Sequence, residues 1–361
     1  MPDPHPSGGA PSVVGARPTP YLHVDAGVLA GNVAAMAALA RSRRVALRPH
    51  AKTHKCLEVA RLQVDAGAVG LTVATVSEAE VFAEGGFADL FVAYPLWVDA
   101  GRGARLRALR EHASVTVGID SLTGARALAA QVPGAAVLVE VDTGHHRTGV
   151  PPEEAGALAE AAARSGLEVR GVFTFPGHSY APGVLEQVAR QEEDGLRRAA
   201  ASLDLHGLAP VVVSGGSTPT VAAGPEGDGI TELRPGVYAF GDAQQWELGS
   251  TTPERLALCC VATVVARHPG RVVLDCGSKV LGADRAAWST GHGRLLDHPD
   301  ARITSLSEHH AVVEWDRSPA PEPGSRVRVV PNHVCNAVNL ADELVVDDDT
   351  VWSVAARGAN T

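Results

Sequence analysis

Lys52 stands in the run Arg48-Pro49-His50-Ala51-Lys52-Thr53-His54-Lys55, with two imidazoles and a second amine close by in the chain. A lysine whose ammonium is destabilised by burial or by neighbouring cations attacks carbonyls and forms a Schiff base with an aldehyde. Without an anchored aldehyde opposite it, the same residue is an ordinary solvated lysine. A second candidate is Gly215-Gly216-Ser217-Thr218. Its glycines let the backbone approach an anion, its hydroxyls donate, and a helix starting there aims N–H groups at the same point. Alone, the tetrapeptide is equally an ordinary turn. The third candidate is His333-x-Cys335. On a strand, positions i and i+2 face one side, so imidazole and thiolate would share one ligand. That set suits a zinc-like ion with positions left open for water or substrate. A cysteine with no such partner is usually a small buried hydrophobe.

These groups act together only if the fold gathers them. Eight short apolar runs alternate with helical patterns between residues 45 and 242: 45–52, 70–75, 89–95, 114–120, 135–143, 168–177, 210–216 and 230–242. Segments such as EEAGALAEAAARSG (153–166) and LEQVARQEEDGLRRAAASLDLHG (185–207) carry apolar residues at helical spacing. Continuous apolar strands separated by helices imply a covered parallel sheet. Eight such units favour a closed (β/α)8 barrel of the TIM type over an open doubly wound sheet. In such a barrel the active site lies where the strands end, which is where Lys52, Asp142-Thr143-Gly144, His178, Tyr180, Ser217, Thr218 and Arg234-Pro235-Gly236 fall.

After about residue 250 the texture changes. ALCCVATVVARH, RVVLDCGSKV, ITSLSEHHAVVEW, RVRVVPNHV and TVWSVAAR follow one another without convincing helices, which predicts a mostly antiparallel β domain over 251–361. The expected organisation is a disordered Pro/Gly/Ser-rich tail over 1–18, a barrel over 19–250, and this β domain. The early strand YLHVD and the helix after it suit either the β domain or the barrel base. Cys259-Cys260 reads as core, His309 and His310 as strand residues, and Asp347-Asp348-Asp349 as a turn. His145 and His146 read as polar loop residues near the rim.

Composition removes other classes of function. A formal charge of −10 excludes a general nucleic-acid binder, which needs clustered Lys and Arg. Five scattered cysteines are not a disulfide framework and fit a reducing cytoplasm. No apolar run approaches the roughly 20 residues that span a bilayer.

The run at 48–55 resembles the cofactor-lysine motif of D-threonine aldolases and eukaryotic-type D-serine dehydratases, which are alanine-racemase-like (fold-type III) pyridoxal-phosphate enzymes. The resemblance continues in order through Asp142-Thr143-Gly144, Arg147-Thr148-Gly149, Gly177-His178-Ser179-Tyr180, Ser214-Gly215-Gly216-Ser217-Thr218 and Pro331-Asn332-His333-Val334-Cys335. It covers the chain from about residue 18 to the end. It implies a barrel followed by a β domain, pyridoxal 5'-phosphate on Lys52, and a divalent metal on His333 and Cys335, with zinc suiting thiolate and manganese preferring oxygen. It further implies cofactor contacts from Tyr180, Thr218, Gly236 and Val237, with Arg147 near the phenolic oxygen. His178 and Ser217 belong to the same motifs and are expected to line the cofactor. Seven residues before Tyr180 the family often has a tyrosine; Phe173 stands there, so that phenol's hydrogen bond is missing.

The implied activity is a lyase for D-3-hydroxy amino acids, working as a homodimer. If Lys52 removes the α-proton and the metal-held hydroxyl leaves, an enamine hydrolyses to a 2-keto acid and ammonia, as in a D-serine dehydratase. If the hydroxyl loses its proton instead, Cα–Cβ cleavage gives glycine and an aldehyde, as in a D-threonine aldolase. Cysteine as second metal ligand leans toward the dehydratase. A racemase would need a second base, which the metal motif does not supply. A non-catalytic cofactor carrier of this class would lack the β domain.

Overall fold

The turns that lead from strand to helix carry their own stop signals. Thr75, Asp99, Ser121 and Asp242 each accept a backbone N–H three residues on (3.0, 2.9, 3.2 and 2.8 Å), ending an extended segment and opening a helix. The computed structural model describes residues 17–223, 229–316, 319–347 and 350–361.

In chain order the strands are β1 (Tyr21–Val24), β2 (Ala46–Leu47), β3 (Leu71–Val73), β4 (Asp89–Pro95), β5 (Ser114–Ile119), β6 (Ala136–Glu140), β7 (Glu168–Phe173), β8 (Val212–Gly215) and β9 (Glu232–Leu233). They continue as β10 (Leu258–His268), β11 (Arg271–Leu274), β12 (Arg294–Leu295), β13 (Arg302–Leu306), β14 (Ala311–Glu314), β15 (Arg326–Val330), β16 (Glu343–Val346) and β17 (Thr350–Ser353). The helices are α1 (Ala26–Ser42), α2 (Leu57–Asp65), α3 (Val76–Glu84), α4 (Ala100–Leu109), α5 (Leu122–Gln131), α6 (Ala155–Arg164), α7 (Leu185–Leu205), α8 (Thr218–Ala223), α9 (Ala243–Glu247), α10 (Ser278–Leu281) and α11 (Val334–Leu340).

Strands β2 to β9 form one parallel sheet in the order β2-β9-β8-β7-β6-β5-β4-β3. A parallel bridge between His50 and Thr72 joins its two ends, supported by Thr72 N–H donating to Pro49 O at 2.8 Å. This is the expected (β/α)8 barrel. The first strand is shorter than the apolar run suggested, because Pro49 has no N–H for a ladder. Gly171 has a positive φ of 149°, and a Cβ there would come within 1.9 Å of Val212 O, so β7 and β8 approach as they do only through a glycine.

The barrel interior is partly polar. Arg48 pairs with Glu232 (2.7 Å) and Asp89 (2.8 Å). Ser214 Oγ donates to Glu232 at 2.6 Å and accepts from Arg234 at 2.6 Å, and Arg234 also donates to Thr174 O. Phe91 and Phe173 meet edge-on at 5.0 Å, and the Arg234 guanidinium lies 5.3 Å from the Phe173 ring. Burial lowers the pKa of Arg234 to about 10, against the pull of Glu232, Glu192 and Glu140.

The second sheet has nine strands in the order β11-β14-β13-β12-β15-β10-β1-β16-β17, antiparallel except for β1 with β16. The first strand therefore belongs to the tail sheet, which corrects the expected barrel unit of 19–250. Leu22 and Val24 are buried while Tyr21 and His23 are not, and this single apolar face fills the gap between β10 and β16. Helix α1 serves both bodies: Leu29 and Val33 join the tail core, while Ala37 and Ala40 pack with Leu47 and Leu233.

Other expectations are met or corrected locally. Cys259 and Cys260 are buried on β10. His309 and His310 are not in a strand; they are exposed in the turn between β13 and β14. Of the tail expected over 1–18, residues 1–16 lie outside the described residues, and Arg17 bonds Glu343 at 2.6 Å. Asp347 is in a turn; Asp348 and Asp349 lie outside the described residues. No described helix is long and apolar enough to cross a membrane.

Candidate active site

Lys52 lies in the 3-10 turn Ala51–Thr53 that follows the first barrel strand. His50 caps this turn, its Nδ1 accepting the Lys52 backbone N–H at 3.4 Å. Burial, then the charges of Lys52 and Arg234, hold the His50 imidazole well below its usual pKa, so it is a neutral acceptor. The Lys52 Nζ lies 5.3 Å from the centre of the Phe175 ring, and the Arg147 guanidinium lies 5.3 Å from the same ring. Tyr180 flanks Phe175 at 6.3 Å. Burial raises its phenol's pKa, with Cys335 and Asp242 adding to the effect.

The tail domain meets this turn directly. Cys335 Sγ lies 3.4 Å from Thr53 Oγ1. His333 and Cys335 are not on a strand, which corrects the sequence reading. His333 is the N-cap of α11, and Cys335 is in its first turn. Their side chains nevertheless touch, because the extended cap and the first turn direct both to one side. Burial works against thiolate at Cys335, but the His333 charge and hydrogen bond, Lys52 and Thr53 outweigh it and lower the pKa. Burial likewise opposes imidazolium at His333; the Cys335 charge and hydrogen bond, Asp242 and Asp284 raise it to about 10. Asp284 Oδ2 lies 3.0 Å from His333 Nδ1 and orients the ring. Among the described residues no three His, Cys, Asp or Glu side chains converge as a metal cage. The donor pair is a histidine and a cysteine, which, with their protons released on binding a cation, fit a divalent ion held at two points, with other positions open.

A cradle lies at the ends of β8 and β9. Thr218 Oγ1 accepts the Tyr238 N–H at 3.1 Å, which brings the 236–238 segment against the start of α8. Among the described residues, the backbone N–H groups of Thr218, Gly236 and Val237 donate to no protein acceptor. Three such donors fit a phosphate ester. A Cβ on Gly236 would lie 2.6 Å from Thr53 Oγ1 and 3.0 Å from His50 O, so only glycine lets this loop close on the lysine turn. The Gly216 and Ser217 N–H groups, by contrast, are taken by Glu192 (2.6 Å) and Thr220 (2.9 Å). The Ser217 hydroxyl is engaged by Ser179 at 3.0 Å.

His178 is on the rim, its Nε2 3.1 Å from Gln191 Oε1, and it stacks on His145 at 6.4 Å. His178 Nδ1 is buried without a partner. His145 also meets Phe175 edge-on at 5.8 Å and so lines the rim, whereas His146 is exposed and pairs with Asp142 at 2.7 Å. Phe173 is fully buried inside the barrel. The residues brought together are thus Lys52, Arg147, Tyr180, His333 and Cys335 on one side, with Thr218, Gly236 and Val237 forming the cradle.

Sequence reasoning missed Thr53, Phe175, Asp284, Trp288 and Asp242. Trp288 from the tail domain donates to Tyr180 O at 3.0 Å. Asp242 bridges two helices, accepting from Gln245 N in α9 at 2.8 Å and from Val334 N in α11 at 3.3 Å. Its signal was legible, since an acid followed three residues later by glutamine marks a helix start. Asp284 carries no local signal; only the fold brings it to His333.

Comparison with known proteins adds family evidence. Residues 24–244 match the alanine racemase N-terminal domain, and residues 257–346 match a putative serine dehydratase domain. D-threo-3-hydroxyaspartate dehydratase of Delftia sp. strain HT23 is 33% identical over 345 residues, covering 88% of this chain and 90% of that protein. D-threonine aldolase of Arthrobacter sp. is 34% identical over 362 residues, covering 94% and 93%. Among solved structures, D-threonine aldolase from Filomicrobium marinum superposes with a TM-score of 0.86 at 31% identity, covering 95% of this chain and 97% of that one. The Delftia dehydratase superposes equally well, with a TM-score of 0.86 at 30% identity, covering 94% and 97%. That dehydratase has also been solved with a histidine, and with a cysteine two positions later, replaced by alanine, the cysteine variant in a metal-free form.

Proposed function

The chain belongs to the family that joins an alanine racemase N-terminal domain to a putative serine dehydratase domain, and from that premise we propose that it is a pyridoxal-phosphate- and divalent-metal-dependent dehydratase of D-3-hydroxy amino acids. The named relatives are a dehydratase and aldolases of D-hydroxy amino acids. The observation that carries the reading is the contact between distant parts of the chain: Cys335 Sγ lies 3.4 Å from Thr53 Oγ1, next to Lys52. One bound amino acid then faces an amine from the barrel and an imidazole–thiolate pair from the tail.

The cofactor supplies an electron sink for charge developing at Cα, and the metal supplies a Lewis acid for the β-hydroxyl. Lys52 holds the cofactor and moves the α-proton. Neutral His50 keeps the lysine turn in place. His333 and Cys335 hold the ion, Asp284 fixing the imidazole and Thr53 the thiol. Zinc suits this pair best. Thr218, Gly236 and Val237 bind the phosphate, with Ser217 shaping their loop. Arg147, which like Lys52 lies 5.3 Å from the centre of the Phe175 ring, would steer charge at the phenolic oxygen. Tyr180 and His178 line the cofactor and exclude water. Loss of the β-hydroxyl as water leaves an enamine, and its hydrolysis gives a 2-keto acid and ammonia.

The dehydratase is supported by the thiolate at the second ligand position and by the serine dehydratase domain over 257–346. A second reading, aldol cleavage to glycine and an aldehyde, is favoured by the 34% identity to D-threonine aldolase. Incubation with D-serine, D-threonine and 3-hydroxy-D-aspartate, assaying keto acid, ammonia, glycine and aldehyde, separates the two. Keto acid with equimolar ammonia is expected; glycine without keto acid overturns the dehydratase. The chain acts in the cytoplasm as a homodimer, binding neither nucleic acid nor membrane; light scattering at the protomer mass alone would reject the dimer.

A further inference from the structure

Glu192 is a carboxyl that no step above uses. It lies on the inner face of α7 and is 2% exposed. Its Oε1 accepts the Gly216 N–H at 2.6 Å, and a Cβ on Gly215 would meet the same oxygen at 2.8 Å. The Thr220 hydroxyl also donates to this carboxyl, which favours its charged form. Thr220 Oγ1 accepts the Ser217 N–H at 2.9 Å and lies 3.1 Å from Ser217 Oγ. Ser217 Oγ in turn lies 3.0 Å from Ser179 Oγ, next to Tyr180. A buried chain of hydrogen bonds therefore runs from α7 under the whole cradle loop. Gly216 itself sits at φ +86°, a turn that needs holding in place.

We propose that Glu192 is a positioning residue for the phosphate cradle: its carboxyl pins the Gly215–Gly216 turn and, through Thr220, the Ser217 backbone, so that the Thr218, Gly236 and Val237 N–H groups converge on a phosphate ester. The inference rests on the pyridoxal-phosphate reading. Two N–H groups of the loop are committed inward, and this commitment aims the next one outward. Burial raises the Glu192 carboxyl to about 7, with Gly216, Thr220 and Arg234 opposing the rise; Arg43 and Glu193 line the same cavity. In either protonation state the carboxyl accepts from Gly216. Glutamine keeps that acceptor; leucine removes it.

The full-length wild type, Glu192→Leu and Glu192→Gln are stripped of cofactor and titrated with pyridoxal phosphate and with phosphate-free pyridoxal, following the absorbance of the bound cofactor. Glu192→Leu is expected to weaken pyridoxal phosphate by about tenfold or more, the effect of leaving a buried N–H without its acceptor, and to change pyridoxal by about twofold or less. Glu192→Gln is expected to match wild type for both. Equal weakening of the two ligands, unchanged pyridoxal phosphate affinity in Glu192→Leu, or no rescue by glutamine overturns the proposal. Should Glu192→Leu not fold, Thr220→Val cuts the same chain and carries the same phosphate-selective expectation. A wild type that does not prefer pyridoxal phosphate to pyridoxal rejects the cofactor assignment itself, an outcome distinct from any failure confined to the variants.

Discussion

The barrel and the tail domain bury different things. In the barrel domain, Arg48, Glu140, Glu192, Glu232 and Arg234 are held by one another, by hydroxyls and by backbone groups. In the tail domain the core is Val, Leu, Ile and Cys, and among its described residues the buried polar side chains are Ser289 and Asn332. Asn332 adjoins His333 and donates to Gly291 O (2.9 Å) and Asp284 O (3.2 Å), pinning the loop that carries Asp284. The barrel therefore buries paired charge and polarity. The tail domain is an apolar scaffold that delivers one helical turn to the lysine.

The largest expected effects fall where the two bodies meet. Lys52→Ala should lower turnover by about 10²–10⁴-fold and abolish the cofactor absorbance. His333→Ala should lower turnover comparably but keep the absorbance while losing bound metal, measured by elemental analysis. If both variants lost the absorbance, the division of labour between barrel and tail would be wrong.

Next come the two interiors. Arg234→Ala removes the cation among Glu232, Glu192 and Glu140 and should destabilise the protein by about 3–5 kcal/mol. Leu274→Ala, fully buried in the tail core, should cost about 2–5 kcal/mol through a cavity alone. Denaturant unfolding measures both. The contrast sharpens if Arg234→Met recovers less than Leu274→Met, since only the barrel site needs a charge.

The contrast also has a pH signature. His54 is buried beside α2, and burial lowers its pKa from 6.5 to about 4. The unfolded chain therefore takes up a proton before the folded one does. Stability contributed by neutral His54 is present above pH 6.5 and is lost as pH falls toward 4, by about 2–3 kcal/mol. His309 and His310 in the tail domain are exposed. Thermal unfolding from pH 7 to 4 should show a steeper decline in wild type than in His54→Leu. The smallest effect is expected at Asp99, which caps α4 on the barrel surface. Asp99→Ala should cost about 1 kcal/mol, seen as a small drop in Tm with activity intact.

The barrel was largely legible because its strands are apolar runs, with β3, β4 and β5 followed by their own helix caps, and such patterns are local. Lys52 was legible for the same reason, standing where a run stops. The His333–Cys335 pair was recognised, but its backbone was not. A two-residue spacing places side chains together on a strand, and an extended N-cap followed by a helical turn does the same here. Phe173 was read as a cofactor position lacking a phenol, yet it packs under Arg234 inside the barrel.

By itself, then, the chain's order of residues determined which barrel segments are strands and helices, where Lys52 stands, and that a thiol and an imidazole lie close together. Only the tertiary structure decided that β1 completes the tail sheet, that Asp284 orients His333, and that Cys335 reaches Thr53. The physical reason is range. Caps and apolar periodicity act over a few residues, whereas Cys335 and Thr53 are 282 positions apart and meet only after both sheets have formed.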